Sequence, residues 1–171
     1  MTTDRLLIRP MKASDEHAFI LGTDDRPLRI AYGFPQDMDT AIASGIFHRF
    51  CELPEAYAIA ERHTDSMIGF LLDVDPELPA SIAKELPGKG RTLAFVVFAP
   101  YQKQGYMEET LMAYIPQLFL NHETAYIHCG HFSDNEPSRR LLQKIGFQEF
   151  ASHSFKNRII IDQILHNPNH V

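Results

Sequence analysis

The sequence predicts an α/β fold built around a mixed sheet, and three observations support this class. Short runs rich in Val, Ile and Phe alternate with longer segments whose apolar residues recur at helical spacing. The segment Thr92–Ala99, which reads TLAFVVFA, is apolar on both sides, as is typical of a strand in the centre of a helix-covered sheet. The predicted order, β-α-α-β-β-β-α-β-α-β-β, interleaves strands with helices, and this pattern favours an α/β domain.

The amino-terminal segments are predicted as a strand, a helix and a loop. Leu6–Ile8 is a short apolar run that stops at Arg9-Pro10, because proline cannot donate to a ladder. The segment Ser14–Leu21 is predicted to be a helix that is capped by Ser14 and stopped by Gly22. Thr23–Gln36 contains glycine and two prolines, so most of it is expected to be loop.

A helix and a pair of strands are predicted next. Asp39 or Thr40 is expected to cap a helix that ends near Cys51. Tyr57–Ala60 and Met67–Leu72 are apolar runs joined by a polar connection of hairpin length. Asp73–Gly90 is then a long connection with room for one helical turn, and long connections in compact domains are often functional.

The second half of the chain continues the alternation after the central strand. Its elements are predicted as a helix over Gly105–Asn121, a strand over Thr124–His131, a helix over Asn135–Ile145, and strands over Phe147–Phe155 and Arg158–Leu165. Pro116 lies inside the first of these helices and is expected to kink or split it. Gly146 is expected to end the second.

Size and composition limit the function classes. A chain of 171 residues with 44% hydrophobic content is expected to form one domain, residues 1–171. The net charge of −6 argues against a general nucleic-acid binder, which usually carries a basic excess. No run approaches the roughly 20 apolar residues that a membrane helix needs. Because the start of the chain also lacks a signal-peptide pattern, a cytoplasmic location is expected.

The chain offers little sign of a metal site or a disulfide framework. Cys51 and Cys129 have no metal-ligand spacing and form no pattern of paired cysteines. No HExxH motif or Cys/His cluster accompanies the nine histidines. We therefore expect no bound metal.

The segment Pro100–Met107, reading PYQKQGYM, is the most informative for chemistry. It lies between a predicted buried strand and a helix, where backbone N–H groups and the positive helix end converge on one point. Gly105 would allow close backbone approach to a phosphate, and Lys103 adds positive charge. No GxxxxGK[ST] or GxGxxG fingerprint occurs, so the segment is neither a Walker loop nor a dinucleotide loop. A simple turn before a helix is the alternative.

A second segment, Asn135–Phe147, is a well-delimited helix by its local sequence. Asn135 is a good N-cap, Pro137 fits the first turn, and Gly146 fits the stop. By itself this pattern is typical of a surface helix.

Together the two segments resemble the GCN5-related N-acetyltransferase (GNAT) family, and within it the branch that is similar to ribosomal-protein N-acetyltransferases. The helix segment carries the complete set of family residues, which are Asn135, Ser138, Leu141, Gly146 and Phe147. The loop segment carries a partial set, which is Pro100, Tyr101, Gln102, Gly105, Tyr106 and Glu109. The opening Arg5–Pro10 is also similar to that branch, so the resemblance spans most of the chain.

The resemblance implies a fold, a cosubstrate and an activity. The fold would be the acyl-CoA N-acyltransferase fold, a mixed and mostly antiparallel central sheet with helices on both faces. Acetyl-CoA would be the cosubstrate, and its acetyl group would pass by direct attack to a primary amine of a small molecule or a protein N-terminus. The amine substrate is the expected partner. The sequence leaves both a monomer and a homodimer open.

The resemblance also assigns site residues. Cofactor contacts fall on Val97, Phe98, Gln102, Lys103, Gln104, Gly105, Tyr106, Met107, Asn135 and Ser138. In the family the Asn and Ser lie beside the cofactor, so Asn135 and Ser138 are candidate catalytic residues. A strand amide near Val97 or Phe98 is the candidate donor to the oxyanion that develops on the thioester carbonyl.

Three departures from the family pattern bear on activity. The family has Gly or Ala where this chain has Met107, and the glycine often found at the position of Lys103 is missing. Leu141 and Leu142 occupy the helix face on which many relatives carry a Tyr that protonates the leaving thiolate. A catalytically weak or inactive CoA-binding module with the same fold is therefore the alternative. An unrelated phosphate-loop protein is a third reading, which the missing Lys-Ser/Thr pair disfavours.

The strand Thr124–His131 supplies the candidate general base. Amine acetylation needs such a base, because an ammonium has no lone pair. Alternation puts Ile127, Cys129 and His131 on one face of this strand, opposite Tyr126 and His128. His131 is the candidate base, since imidazole titrates near neutral pH. The alternative is a partly exposed histidine at a strand end, and Cys129 is expected to be a small core residue.

Residues that would select the acceptor come from other segments. The acidic side chains of the long connection could attract an ammonium or stay solvated, and they are Asp73, Asp75 and Glu77. Four aromatic side chains could wall an acceptor pocket, and they are Tyr32, Phe34, Phe47 and Phe50. The helical spacing of Phe47 and Phe50 favours a place in the core instead.

Overall fold

The computed structural model describes residues 1–86, 88–121 and 123–170. Its strands are β1 Leu6–Pro10, β2 Ala56–Glu61, β3 Met67–Val74, β4 Lys89–Val97, β5 Thr124–Phe132, β6 Gln148–Phe155 and β7 Arg158–His166. Its helices are α1 Glu16–Thr23, α2 Arg26–Tyr32, α3 Thr40–Glu52, α4 Ala80–Ala83, α5 Tyr106–Asn121 and α6 Glu136–Ile145. Short 3₁₀ turns cover Ala13–Asp15 and Ala99–Tyr101. Among the described residues, no helix has both the length and the apolar character that crossing a membrane requires.

The strands form one seven-stranded sheet in the order β1-β2-β3-β4-β5-β7-β6. The pairs β1/β2, β2/β3, β5/β7 and β6/β7 are antiparallel, whereas β4 and β5 run parallel over Lys89–Thr92. These directions confirm the predicted α/β class with a mixed, mostly antiparallel sheet. By its internal contacts the chain divides into two units, the first Met1–Leu72 with Phe95–Thr110, the second Asp73–Ala94 with Leu111–Val171.

The first unit is organised around aromatic side chains. Phe19 from α1, Phe47 from α3 and Phe70 from β3 are fully buried. The ring centroids of Phe47 and Phe70 lie 5.5 Å and 5.6 Å from the ring centroid of Phe19. This spacing is typical of attractive aromatic pairs. The hairpin of β2 and β3 and the helix α3, which Asp39 caps through a bond from Ile42 N, confirm the sequence predictions for these elements.

Two predictions for the amino-terminal helices are wrong. Ser14 is not an N-cap, since it lies within the 3₁₀ turn that precedes α1. Gly22 does not stop α1, which continues to Thr23. A Cβ on Gly22 would lie 2.3 Å from the ring of Phe98, so this glycine provides space for close packing within the first unit.

The predicted loop over Thr23–Gln36 instead contains the helix α2. Asp25 caps it by accepting a hydrogen bond from Leu28 N, and Gly33 ends it at φ 91°. Pro27 fits the first turn, where a missing N–H costs little. The proline and the glycine therefore delimit a short helix here and do not indicate a loop.

In the second unit, β5 pairs with β7, β7 pairs with β6, and α6 follows β5. The predicted boundaries of α6 and of the β6–β7 hairpin agree with the structure to within one residue, with Asn135 as N-cap and Gly146 at φ 110° as stop. The long connection after Asp73 is shorter than predicted, because β3 extends to Val74, α4 follows, and β4 begins at Lys89.

Two predictions for the central segments need correction. β4 runs from Lys89 to Val97, so it begins and ends earlier than the predicted Thr92–Ala99. Its buried residues, Leu93 and Val96, lie on opposite faces of the strand because side chains alternate along it. Pro116 does not split α5, which is one continuous helix with the proline on an exposed position. Next to the buried Leu111 in α5, Met112 is 59% exposed.

Candidate functional site

The segment between β4 and α5 forms a tight turn within the first unit. After the 3₁₀ turn Ala99–Tyr101, residues Gln102–Met107, here called the 102–107 turn, lead into α5. Lys103 and Gly105 adopt positive φ angles of 60° and 79°. Only glycine takes such angles at no cost, so Gly105 matches its conformation and Lys103 carries modest backbone strain.

Backbone amides at the start of α5 lie ahead of the helical hydrogen-bond ladder. Glu109 N donates to Gly105 O at 3.0 Å, so the N–H groups of Tyr106 and Met107 precede this i to i−4 bond. Such amides carry the positive end of the helix dipole and are well suited to an anion. The 102–107 turn therefore has the backbone arrangement that the sequence predicted.

Side-chain amides fix the shape of the 102–107 turn from within. Gln102 Nε2 donates to Val97 O at 2.9 Å, and Gln104 Nε2 donates to Pro100 O at 3.2 Å. Both glutamines thus bind carbonyl groups of the same loop. These two bonds stabilise the conformation of the loop without a ligand.

The turn also bonds to the amino-terminal segment, which sequence analysis did not select as functional. Glu109 accepts hydrogen bonds from Thr3 Oγ1 at 2.6 Å, Arg5 N at 3.0 Å and Arg5 Nε at 2.6 Å. Partial burial works against ionisation, but the bonds from Thr3 and Arg5 dominate and hold the pKa of Glu109 below its ordinary value. Arg5 is 104 residues from Glu109, so no local motif could have indicated this pair.

The side chain of Met107 is 8% exposed and lies in the interior. The sequence departure from Gly or Ala is therefore accommodated by burial of the thioether, and Met107 can take part through its backbone amide. Thioether side chains adapt well to irregular interior space.

The two candidate oxyanion donors differ in their bonding. Phe98 N donates to Ile68 O of β3 at 2.9 Å, so this amide is already engaged in the sheet. Successive residues of an extended strand direct their amides to opposite edges, so Val97 N–H points away from β3. Of the two predicted donors, Val97 is the one whose direction leaves it available to a ligand at that edge.

In the second unit, His131 is buried and both of its ring nitrogens are hydrogen-bonded. Nδ1 lies 2.9 Å from Phe132 O, and Nε2 lies 2.8 Å from Nε2 of Gln163. A carbonyl only accepts, so Nδ1 carries the proton and Gln163 donates to the lone pair of Nε2. At 5% exposure His131 is not the partly exposed strand-end residue considered as the alternative.

A second histidine of β5 belongs to a chain of polar contacts that we call the polar centre, formed by Thr92, His128, Asp162 and His153. Asp162 is fully buried and lies 2.9 Å from His128 Nε2 and 2.8 Å from His153 Nδ1. Thr92 Oγ1 lies 3.0 Å from His128 Nδ1. Burial opposes ionisation, but the bonds from both imidazoles lower the pKa of Asp162.

Other predicted site residues of the second unit have local partners. Asn135 Oδ1 accepts from Ser138 N at 3.3 Å, so both residues stand at the first turn of α6, where Asn135 acts as the cap. Cys129 is fully buried, and burial raises the pKa of its thiol, which confirms a core residue.

The acidic side chains of the long connection do not form a free cluster. Asp73 is buried, pairs with Arg91 Nε at 2.7 Å and accepts from Tyr114 O–H at 2.8 Å. Asp75 is exposed and pairs with the same arginine at 2.5 Å. Neither alternative holds for Asp73, because its carboxylate is buried and not solvated, and its charge is already paired with that of Arg91.

The aromatic side chains considered for an acceptor pocket pack against the core of the first unit. Phe34 and Phe47 are buried, and Phe50 lies 5.5 Å from the ring of Phe70. Tyr32 stacks on Phe34 at 4.5 Å, and burial raises the pKa of its hydroxyl. The core alternative is thus confirmed for Phe47.

Comparisons with solved structures show what the fold is similar to. An acetyltransferase of the GNAT family from Bacillus anthracis is 15% identical, with a TM-score of 0.81 over 98% of this chain and 98% of its own. A ribosomal-protein-S5-alanine acetyltransferase from Vibrio fischeri is 14% identical, with a TM-score of 0.73 over 100% and 98%. A ribosomal L7/L12 α-N-protein acetyltransferase in complex with coenzyme A is 14% identical, with a TM-score of 0.77 over 97% and 96%.

Comparison of the sequence with protein-family models identifies the family of this chain. A search of curated proteins gives no significant match. The family model described as an acetyltransferase (GNAT) domain matches residues 5–148, which include the 102–107 turn and α6. The chain belongs to the GNAT acetyltransferase family.

Proposed function

We propose that this protein is an acetyl-CoA-dependent N-acetyltransferase that binds the diphosphate of its cosubstrate at the 102–107 turn. The observation that carries the proposal is the pair of amides at Tyr106 and Met107, which precede the helical ladder of α5 beside Gly105 at φ 79°. A diphosphate is the ligand chemistry that such amides favour. Family membership supports the same cosubstrate.

The 102–107 turn fits a diphosphate in shape as well as in charge. Within the described part of the chain, a Cβ on Gly105 would find only Arg5 Nη2 within 4 Å, at 3.6 Å, so the backbone there is open to close approach. The backbone N–H groups of Lys103–Met107 would hold the phosphate oxygens, and Lys103 would add a positive charge. Gln102 N already donates to Ala99 O at 3.3 Å, so Gln102 would take part through its position at the start of the turn. Val97 and Phe98 would line the pantetheine arm, as the family resemblance implies.

The reaction would join the acceptor nitrogen to the acetyl carbonyl carbon and break the carbon–sulfur bond of the thioester. Val97 N–H is the proposed donor to the oxyanion that develops on the carbonyl oxygen. The amine proton leaves with a base, and the thiolate of CoA takes up a proton. The resemblance assigns Asn135 and Ser138 to the thioester end, and this role stays a prediction.

The base also stays a prediction. For His131 to accept the amine proton, its Nε2 would have to exchange the hydrogen bond from Gln163 for one from the acceptor. A bound water or the acceptor's own equilibrium with solvent would serve the same purpose without this exchange.

The acceptor is proposed to be a primary amine of a small molecule or a protein N-terminus. The similar structures include two whose names specify ribosomal-protein acetylation, which supports testing N-terminal peptides. A panel of polyamines, amino sugars and N-terminal peptides, mixed with acetyl-CoA, would be followed by release of free thiol. Release that depends on one class of amine supports the enzyme and names its acceptor class.

A CoA-binding module without turnover is the second candidate. Two observations favour it, namely the leucines on α6 where many relatives carry a Tyr, and the engaged nitrogens of His131. Binding of acetyl-CoA without thiol release across the whole panel would select the module over the enzyme.

A further inference from the structure

Arg5 connects the amino-terminal segment to the 102–107 turn through three contacts of its guanidinium. Nη1 donates to Gln104 O at 3.0 Å, and Nε donates to Glu109 Oε2 at 2.6 Å. The guanidinium carbon also lies 4.4 Å from the centroid of the Tyr106 ring. The Arg5 side chain thus contacts Gln104 before Gly105, Tyr106 directly after it, and Glu109 one helical turn further along α5.

Glu109 holds this guanidinium in place. Its carboxylate accepts from Thr3 Oγ1 and Arg5 N as well as from Arg5 Nε. Charge-assisted bonds of this kind are short and strong, and several on one carboxylate fix its rotamer. The guanidinium is planar, so fixing Nε also fixes the direction of Nη1.

The bond to Gln104 O determines the direction of the Gly105 amide. In a trans peptide the C=O of one residue and the N–H of the next point in opposite directions. Holding Gln104 O toward Arg5 therefore turns Gly105 N–H away from Arg5. Without this bond the peptide could rotate at low steric cost, because glycine accepts either sign of φ.

The charge of Arg5 is balanced by its partner. Glu109 lies 2.6 Å from Arg5 Nε and is held ionised, so the pair adds little net charge to the turn. An effect of Arg5 on anion binding would therefore come from the geometry it imposes more than from its positive charge.

We infer that Arg5 is a positioning residue of the coenzyme A site, which fixes the Gln104–Gly105 peptide so that the Gly105 amide faces the diphosphate. This inference rests on the proposed function, and it adds the amino-terminal segment Thr3–Arg5 to the site. Lysine cannot replace arginine here, because an ammonium on a flexible stem cannot bridge Glu109 and Gln104 and stack on Tyr106 at once.

The test compares Arg5→Gln and Arg5→Lys with the full-length wild-type chain in calorimetric titrations with acetyl-CoA. Arg62→Gln is the matched control, since Arg62 is exposed, lies in the same region of the first unit and donates to Thr3 O at 3.4 Å. We expect Arg5→Gln and Arg5→Lys each to weaken acetyl-CoA binding about tenfold. This is the effect of losing one charge-assisted hydrogen bond, here the bond from the Gly105 amide to the diphosphate. Arg62→Gln should change the affinity less than about twofold, as expected for an exposed charge.

A second titration distinguishes positioning from a general loss of structure. S-acetylpantetheine lacks the diphosphate, so ligand-observed NMR should give the same affinity for Arg5→Gln as for the wild-type chain. Equal weakening of both ligands would overturn the inference and assign Arg5 a structural role. Full recovery of acetyl-CoA affinity in Arg5→Lys would overturn it in favour of a simple charge effect.

The result for the wild-type chain separates this inference from the function on which it rests. Wild-type protein that binds acetyl-CoA, together with Arg5→Gln that binds equally well, refutes the role of Arg5 alone. Wild-type protein that does not bind acetyl-CoA refutes the proposed function and the inference with it.

Discussion

The 102–107 turn and the polar centre are both rich in polar groups, but the hydrogen bonds of these groups differ in the two regions. In the turn, glutamine side chains and Arg5 bind backbone carbonyls, while the amides of Tyr106 and Met107 precede the helical ladder. In the polar centre, the imidazoles of His128 and His153 bind the buried carboxylate of Asp162. A region that binds a ligand has to offer donors outward, whereas a region that stabilises the fold pairs them internally.

This difference indicates where function and stability reside. Substitutions in the 102–107 turn should change ligand affinity at small cost to folding. Substitutions in the polar centre should change folding, because a buried polar group without a partner is costly. The following predictions test each half of the comparison.

Asp162→Asn should lower the free energy of unfolding by about 2 to 3 kcal/mol, since one imidazole N–H loses its buried acceptor. Urea unfolding at pH 7 measures the change. Asp134→Asn is the control, because Asp134 is exposed and its pair with Arg158 should contribute less than about 1 kcal/mol. Equal losses in the two variants would show that the polar centre does not have the stabilising role assigned to it.

The contribution of Asp162 should also depend on pH with a definite sign. Its pKa in the folded chain is lowered, so its ionised form adds stability above the ordinary carboxyl pKa of about 4. As the pH falls through that value toward the folded pKa, this contribution is lost. The difference in unfolding free energy between wild-type chain and Asp162→Asn should therefore shrink below about pH 4. A difference that stays constant down to pH 3 would refute the assignment.

The contact between Arg5 and Glu109 should appear as a coupling energy. A double-mutant cycle with Arg5→Gln and Glu109→Gln should give about 1 kcal/mol in unfolding free energy, since the pair is partly exposed but joined by several bonds. A cycle with Arg62→Gln in place of Arg5→Gln should give a coupling near zero. Additive effects in the first cycle would mean that the two side chains do not act together.

The smallest expected effect is that of a substitution of His131 on kcat. Its engaged nitrogens favour a structural role, so His131→Asn should lower kcat by less than about threefold, whereas loss of a general base typically costs about a hundredfold or more. Thiol release with the amine identified by the panel provides the measurement. A hundredfold loss of kcat with unchanged thermal stability would instead establish His131 as the base predicted from sequence.

Local patterns made much of the fold predictable. Asn135 and Gly146 delimit α6 by cap chemistry that involves only near neighbours, and the segment before α5 carries its signal in consecutive residues. The helix α2 is not predictable from its proline and glycine alone, because Pro27 and Gly33 are typical of loops and also of helix starts and ends.

Long-range contacts made the rest unpredictable. Gln163 is 32 residues from His131, Asp162 is 34 residues from His128, and Gln104 is 99 residues from Arg5. Whether a histidine is a free base or a bonded core residue depends on such partners. Periodicity can place a residue on a face of a strand, but it cannot show what lies opposite.

Calorimetric titration of acetyl-CoA into the wild-type chain and into Gly105→Asp tests the central claim most directly. Aspartate tolerates the left-handed region better than most residues, and Gly105→Asn matches its shape without its charge. We predict that wild-type protein binds, that Gly105→Asn binds more weakly, and that Gly105→Asp loses at least a further tenfold because its carboxylate repels the diphosphate. Equal affinity in Gly105→Asp and wild-type protein would contradict the claim that the 102–107 turn holds the diphosphate of acetyl-CoA.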